Sequence, residues 1–208
     1  SGAAGQGIQT VEFLLTKFLK LCGYNFFSMK EYMSRVRGGS NSTEIRIAST
    51  RIAAYVNRID ILIPLNREAL MHVAKRITSD TIIIGEKSRL SGDSNNQEYS
   101  ILDIPFSELA TEIGNPIFSN IIAVGIVSGM LGLERDTITL FLKFYFAQKG
   151  DEIVTQNIEA LNKGYDIARK LVDDGIIAID IKPDPRVNGE IVLNGAEAVG
   201  IGAIIGGC

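Results

Sequence analysis

Ile8, Val11, Leu14, Leu15, Phe18 and Leu19 recur at three- and four-residue spacing, the period of a helix with one apolar face. Gly23 follows as its stop. Tyr24 to Met29 is a short aromatic, β-prone run, and Lys30 to Thr43 is polar. Glu44 to Ser49 alternates, with Ile45 and Ile47 on one side, which predicts a strand with one covered face. Asp60 to Leu65 and Thr81 to Gly85 are continuous apolar runs, the pattern of strands buried on both faces. Between them Asn66 can cap a helix over roughly Arg67 to Ile77. Ser88 to Gln97 reads as a polar loop, Tyr99 to Ile104 as another strand, and Pro105 as the start of a helix to about Ile113. Strand and helix alternate, which predicts an α/β fold: a three-layer α/β/α arrangement around a mostly parallel sheet.

From Asn115 onward the pattern turns helical. Pro116 to Leu131, Arg135 to Ala147 and Glu152 to Asp174 are three helices, with Gly132 and Gly150 as breaks. Ile121 to Leu133 is the most apolar stretch, too short to span a bilayer, and reads as a buried helix. Ile176 to Pro185 carries Pro183 and Pro185 and reads as an extended arm with the signature of a linker. A short strand is expected over Glu190 to Leu193, then a Gly/Ala-rich helix from Asn194 that runs to Cys208 without a cap or stop. No internal repeat is visible.

Composition narrows the chemistry. The 208 residues carry 21 Lys and Arg against 24 Asp and Glu, a net charge of −3. That balance gives no electrostatic reason to expect nucleic acid or an anionic membrane as partner. There is one His, His72, and there are two Cys, Cys22 and Cys208. Zinc and iron–sulfur sites of the usual Cys/His spacing cannot be built from that set. A Ser-His-Asp relay would have to run through His72, which sits in a helical pattern and reads as a surface or satisfied residue. Cys22 reads as a small core residue, and Asp173-Asp174 as a solvated helix end. Two distant cysteines and the lack of a basic leader fit a reduced, cytoplasmic setting.

Two glycine-rich segments stand out. Gly2-Ala3-Ala4-Gly5-Gln6-Gly7 runs straight into the first helix, where backbone N–H groups and the positive helix end suit phosphate. Its spacing is G-x-x-G-x-G, not the dinucleotide G-x-G-x-x-G, and Glu31 is too far along to serve as the ribose acid. A tight packing turn accounts for the glycines equally well. The second segment, Ser34-Arg35-Val36-Arg37-Gly38-Gly39-Ser40-Asn41, sets two guanidiniums beside a Gly-Gly hinge. That suits bidentate contact with phosphate or carboxylate, and equally a solvated loop.

Taken together and in order, Gly2-x-Ala4-Gly5-Gln6-Gly7-Ile8 and Tyr32-Met33-Ser34-Arg35-Val36-Arg37-Gly38-Gly39-x-Asn41, followed by Glu44-Ile45-Arg46-Ile47, resemble the gamma subunit or domain of the 2-oxoacid:ferredoxin oxidoreductases. Ile104-Pro105, Leu109-Ala110, and Asn120 followed by Gly125 are similar to later landmarks of that family. The tail Asn194-Gly195-Ala196-Glu197-Ala198-Val199-Gly200-Ile201-Gly202-Ala203 resembles the opening of the alpha domain in the gamma–alpha fused form, with Ala196 in place of the usual Asn.

The resemblance implies a gamma-type domain over residues 1–180, lacking its first strand, and a linker and truncated alpha-domain start over 181–208. It implies a share in the coenzyme A-dependent oxidative decarboxylation of a 2-oxo acid, with electrons passed to ferredoxin. Thiamine diphosphate, magnesium and 4Fe-4S clusters would belong to the holoenzyme, with a beta subunit and ferredoxin as partners in an oligomer. Catalytic residues are expected elsewhere. Gly5, Gln6, Gly7, Arg35, Arg37, Gly38, Gly39 and Asn41 would line a cofactor or inter-domain surface near the coenzyme A or substrate path. A free-standing nucleotide- or coenzyme A-binding α/β module, and an interaction module reusing the fold, are the alternatives.

Overall fold

The computed structural model describes residues 2–3, 8–31, 40–90 and 100–208. The first helix, α1 (Ile8–Leu21), stops where expected: Gly23 takes φ 79°, and the Tyr24 amide donates back to the Leu19 carbonyl. Strand β1 (Gly2–Ala3) precedes it, and β2 (Asn25–Glu31) and β3 (Ser40–Ala48) follow. These three form one antiparallel sheet in the order β1-β3-β2, with Asn25 opposite Ala48 and Glu31 opposite Ser42.

The parallel sheet lies further along the chain. β4 (Ile61–Leu62), β5 (Ile82–Gly85) and β6 (Ile101–Asp103) pair in sequence order, with Leu62 opposite Ile83 and Ile84 opposite Leu102. The α/β expectation holds in this unit. The mostly parallel sheet is found here, while the aromatic run and the alternating run pair with each other antiparallel. β4 is shorter than its apolar run because Pro64, which has no N–H, ends the ladder. Asn66 caps α2 (Arg67–His72) by accepting the Ala69 amide at 2.8 Å, and a 3-10 turn over Ala74–Arg76 completes the segment. Lys87–Leu90 is a helical turn (α3) that takes in the start of the Ser88 to Gln97 stretch expected to be loop, and the rest of that stretch lies outside the described residues.

The core is built on helix α5 (Ser119–Met130), in which every residue from Ile121 to Ile126 is buried. It packs on α1, on α4 (Phe106–Ile113) and most closely on α7 (Asp151–Asp173). Gly125 and Gly129 on α5 face Leu161 and Tyr165 on α7, while Gly164 faces Ile122. A Cβ on Gly129 would lie 2.5 Å from the Tyr165 carbonyl oxygen, and one on Gly125 or Gly164 would meet a carbonyl equally hard. The two backbones therefore touch with no side chain between them. Helix α6 (Arg135–Phe146) closes one side through Ile138 and Leu142, with Phe141 edge-on to Phe18. Among the described residues no helix is long and apolar enough to cross a membrane.

Two expectations are corrected in the tail. Glu190 to Leu193 is exposed and forms no strand, because its β-prone side chains have no neighbouring edge to pair with. The last helix, α8 (Gly195–Ile205), does have caps. Asn194 and Glu197 form a reciprocal capping box at its start, and Gly207 at φ 86° ends it.

Candidate functional site

Backbone pairing places the two glycine segments side by side at their ends. Gly2 lies opposite Asn41 and Ala3 opposite Ser40. The chain thus enters the first glycine segment from the position beside which it leaves the second. Asn41 is the predicted site residue within this seam. Gly5, Gln6, Gly7, Arg35, Arg37, Gly38 and Gly39 lie outside the described residues.

A set of paired charges braces the seam. Glu31, the last residue of β2, accepts from Ser42 Oγ at 3.0 Å and lies 3.3 Å from His72 Nε2 at the end of α2. These hydrogen bonds, His72 first and Ser42 second, hold the Glu31 carboxyl below the usual range. Next along β3, Glu44 forms a two-point ion pair with Arg76, and this raises the guanidinium pKa further. Helix α2 and the 3-10 turn that follows it are thereby each tied to the hairpin. His72 is an anchoring residue on a helix end, as its pattern suggests, and Glu12 is likewise occupied by Lys30 and Ser28 of β2.

A cleft of about 280 Å³ opens at the carboxyl ends of the parallel strands, where α/β sheets usually bind ligands. Pro64, Leu65, Phe106 and Ile117 form apolar walls, with Glu86, Arg89 and Asn120 among its polar groups. Glu86 stands directly after β5 and accepts from the amide and hydroxyl of Ser107, the latter at 2.6 Å. A carboxylate is thus set at the start of α4, whose unpaired amides and dipole favour negative charge. Arg89 donates to the same hydroxyl at 3.0 Å and leaves most of its guanidinium in solvent. Sequence reasoning marked Ile104-Pro105 and Asn120 at this edge but missed Glu86, Arg89 and Ser107. The available signal was the position of Glu86, one residue beyond a buried strand.

A second hollow, about 360 Å³, lies under the extended arm between the end of α1 and the turn after α5. The Tyr24 hydroxyl donates to the Leu131 carbonyl, and Asp184 is held by Arg186 and Asn25. Cys22 lines this hollow, and burial pushes its thiol pKa up. Among the described residues no group of three or more His, Cys, Asp or Glu could hold a metal ion. With two cysteines in the whole chain, the donor set does not fit a four-thiolate cluster.

A family profile described as Pyruvate ferredoxin/flavodoxin oxidoreductase matches residues 1–167. The 2-oxoglutarate synthase subunit KorC of Archaeoglobus fulgidus is 25% identical over 185 residues, covering 88% of this chain and 93% of that subunit. The 2-oxoacid:ferredoxin oxidoreductase subunit alpha of a Sulfolobus species is 21% identical, and the match takes in 99% of this chain but 38% of that subunit. Among solved structures, 2-oxoglutarate:ferredoxin oxidoreductase from Magnetococcus marinus, with 2-oxoglutarate, coenzyme A and succinyl-CoA bound, superposes with a TM-score of 0.82 at 23% identity. That match covers 99% of this chain and 36% of the other. The keto/oxoacid ferredoxin oxidoreductase gamma subunit from Geobacter sulfurreducens gives 0.62 at 20% identity, over 81% of this chain and 95% of the other. The relatives are thus subunits of multi-subunit 2-oxoacid oxidoreductases, and this chain belongs to the pyruvate ferredoxin/flavodoxin oxidoreductase family.

Proposed function

We propose that this chain is the gamma-type portion of a 2-oxoacid:ferredoxin oxidoreductase and works within the assembled enzyme. Coverage of both kinds of relative carries the reading: nearly the whole of a free-standing small subunit, and a bit over a third of a larger alpha subunit. In the reaction, the bond between the 2-oxo carbon and the carboxylate breaks and carbon dioxide leaves. A thioester forms between the former 2-oxo carbon and the coenzyme A sulfur, the thiol proton is released, and two electrons go to ferredoxin, for which iron–sulfur clusters of the assembled enzyme would be the carriers. Thiamine diphosphate with its magnesium ion would supply carbanion stabilisation from other chains or domains. The 4Fe-4S clusters would lie there too, since the donors in this chain do not suit them.

This chain's part is to bind and to orient. Gly5, Gln6, Gly7, Arg35, Arg37, Gly38, Gly39 and Asn41 are the groups proposed for this, on the strength of their two motifs. Their backbone N–H groups and two guanidiniums suit the phosphates of coenzyme A or an adjoining domain. Residues 1–180 form the gamma-type unit, and 181–208 lead into an alpha-type domain whose first helix is α8. The uncovered apolar surface of α8, with Ile205 at 81% exposure, supports that division. The setting is cytoplasmic, and the direct partner is a thiamine-diphosphate-binding beta subunit. Co-expression and affinity purification test this. Recovery of a stoichiometric beta subunit is expected. Failure to co-purify, combined with tight binding of NAD, FAD or an acyl-CoA by the isolated chain, would favour a free-standing binding module instead.

A further inference from the structure

The stretch after α7 has the composition of a linker, but its packing changes abruptly partway along. Up to Asn188 the chain is fastened to the body. Ile177 is 1% exposed, Val187 5% and Asp184 8%. The Asp184 amide donates to the Gly23 carbonyl at 2.7 Å, and its carboxylate accepts from Asn25 Nδ2 at 3.3 Å. The Lys182 amide donates to Ser49 Oγ at 2.8 Å, reaching the end of the β2–β3 hairpin. Lys20 of α1 reaches the Val187 carbonyl. Arg186 folds back onto Asp184 through Nε and Nη2, which neutralises the one nearly buried carboxylate of the segment. These contacts come from α1, from the turn after it, from β2 and from the residue after β3.

From Gly189 onward every residue is exposed. The Glu190 amide closes a local turn onto the Val187 carbonyl, and Asn194 and Glu197 bond to each other. Apart from that turn onto Val187, the hydrogen bonds described for this part stay within it.

We infer that residues 177–188 are a strap belonging mechanically to the preceding body, and that Gly189–Asn194 is the hinge between this body and α8. Two classes of feature separate the segments. The strap has buried apolar anchors and main-chain bonds to distant elements, which resist local opening. The hinge has a glycine, no buried side chain and a capping box that holds α8 as its own unit. The boundary of independent movement therefore lies at Gly189, not at the 180/181 division that the family resemblance implies. Packing alone sets this boundary, so it does not depend on the proposed enzymatic role.

Thermolysin cuts before large apolar residues, and the full chain offers such sites in both segments. Ile177, Ile179, Ile181 and Val187 lie in the strap, and Ile191, Val192 and Leu193 in the hinge. Timed digestion read by mass spectrometry should give first cuts at Ile191, Val192 or Leu193, about tenfold or more ahead of any strap site. Asp184→Asn and, separately, Ser49→Ala should speed cutting at the strap sites. Amides of α5 and α7 should stay protected from hydrogen exchange, so that loosening is distinguished from unfolding. First cuts at Ile177, Ile179 or Ile181 in the unaltered chain would overturn the inference. So would strap cutting that neither substitution accelerates.

Discussion

Gly164 has no room to be anything else. Its Cβ would fall against the Ile122 carbonyl, and main chain cannot swing aside as a flexible side chain can. Gly164→Ala should therefore cost about 2–3 kcal/mol through overpacking, read as a lower urea midpoint at unchanged slope. Gly195, with nothing near its open side, should tolerate alanine with a small effect. The two thiols differ as sharply. Burial holds Cys22 protonated, whereas Cys208 is exposed. Iodoacetamide at pH 7.5 should label Cys208 first, with Cys22 lagging by roughly tenfold. At this scale the sequence was partly legible. Gly23 and Gly150 could be read as breaks because a glycine after a periodic run has a local cause. Gly125, Gly129 and Gly164 could not be read, since a close approach depends on which helix arrives from elsewhere.

Whole elements were easier to foresee than their pairings. α1, α4, α6 and α7 lie within a few residues of where hydrophobic period and capping residues put them. The partner of a strand is a non-local fact, so β2 and β3 could be recognised as strands without their joining antiparallel being foreseen. Glu190 to Leu193 went wrong for the same reason: β-branched side chains favour an extended chain but do not supply an edge. The Asn66 cap is local and was legible. Asn66→Ala should remove the acceptor for the Ala69 amide at a cost of about 1 kcal/mol, seen as faster exchange of that amide.

The strap carries its own pH dependence. Asp184 is held well below the usual carboxylate range, first by the Arg186 side chain and then by the Arg186 amide. A carboxyl with a depressed folded-state pKa stabilises fully above its unfolded value, about 3.9. That contribution fades as pH falls toward the folded value. Strap amides should thus exchange slowly at pH 5 and progressively faster below about pH 4, after correction for intrinsic rates. In Asp184→Asn they should lose that acid step.

At the scale of the whole molecule, scarcity of reactive side chains acquires a meaning. One histidine is anchored to Glu31, two cysteines lie apart, and the described acids gather no metal site. The proposed role, binding and orientation beside cofactors carried by neighbours, does not call on such groups. Its glycine segments join at the β1–β3 seam, and its parallel strands end at the cleft lined by Glu86 and Arg89. Family membership was legible from the glycine and arginine motifs. The cleft was not, because Glu86 and Ser107 are far apart along the chain and meet only once β5 and β6 lie side by side.

The coenzyme A saturation curve of the assembled enzyme, measured as 2-oxo acid-dependent acyl-CoA formation, tests the central claim most directly. With the unaltered chain the curve should saturate. With Arg37→Ala in an equally assembled complex, the KM for coenzyme A should rise about tenfold or more, as expected for a lost charged contact. An absence of acyl-CoA formation from every 2-oxo acid tried, or two curves that superimpose, would contradict the account.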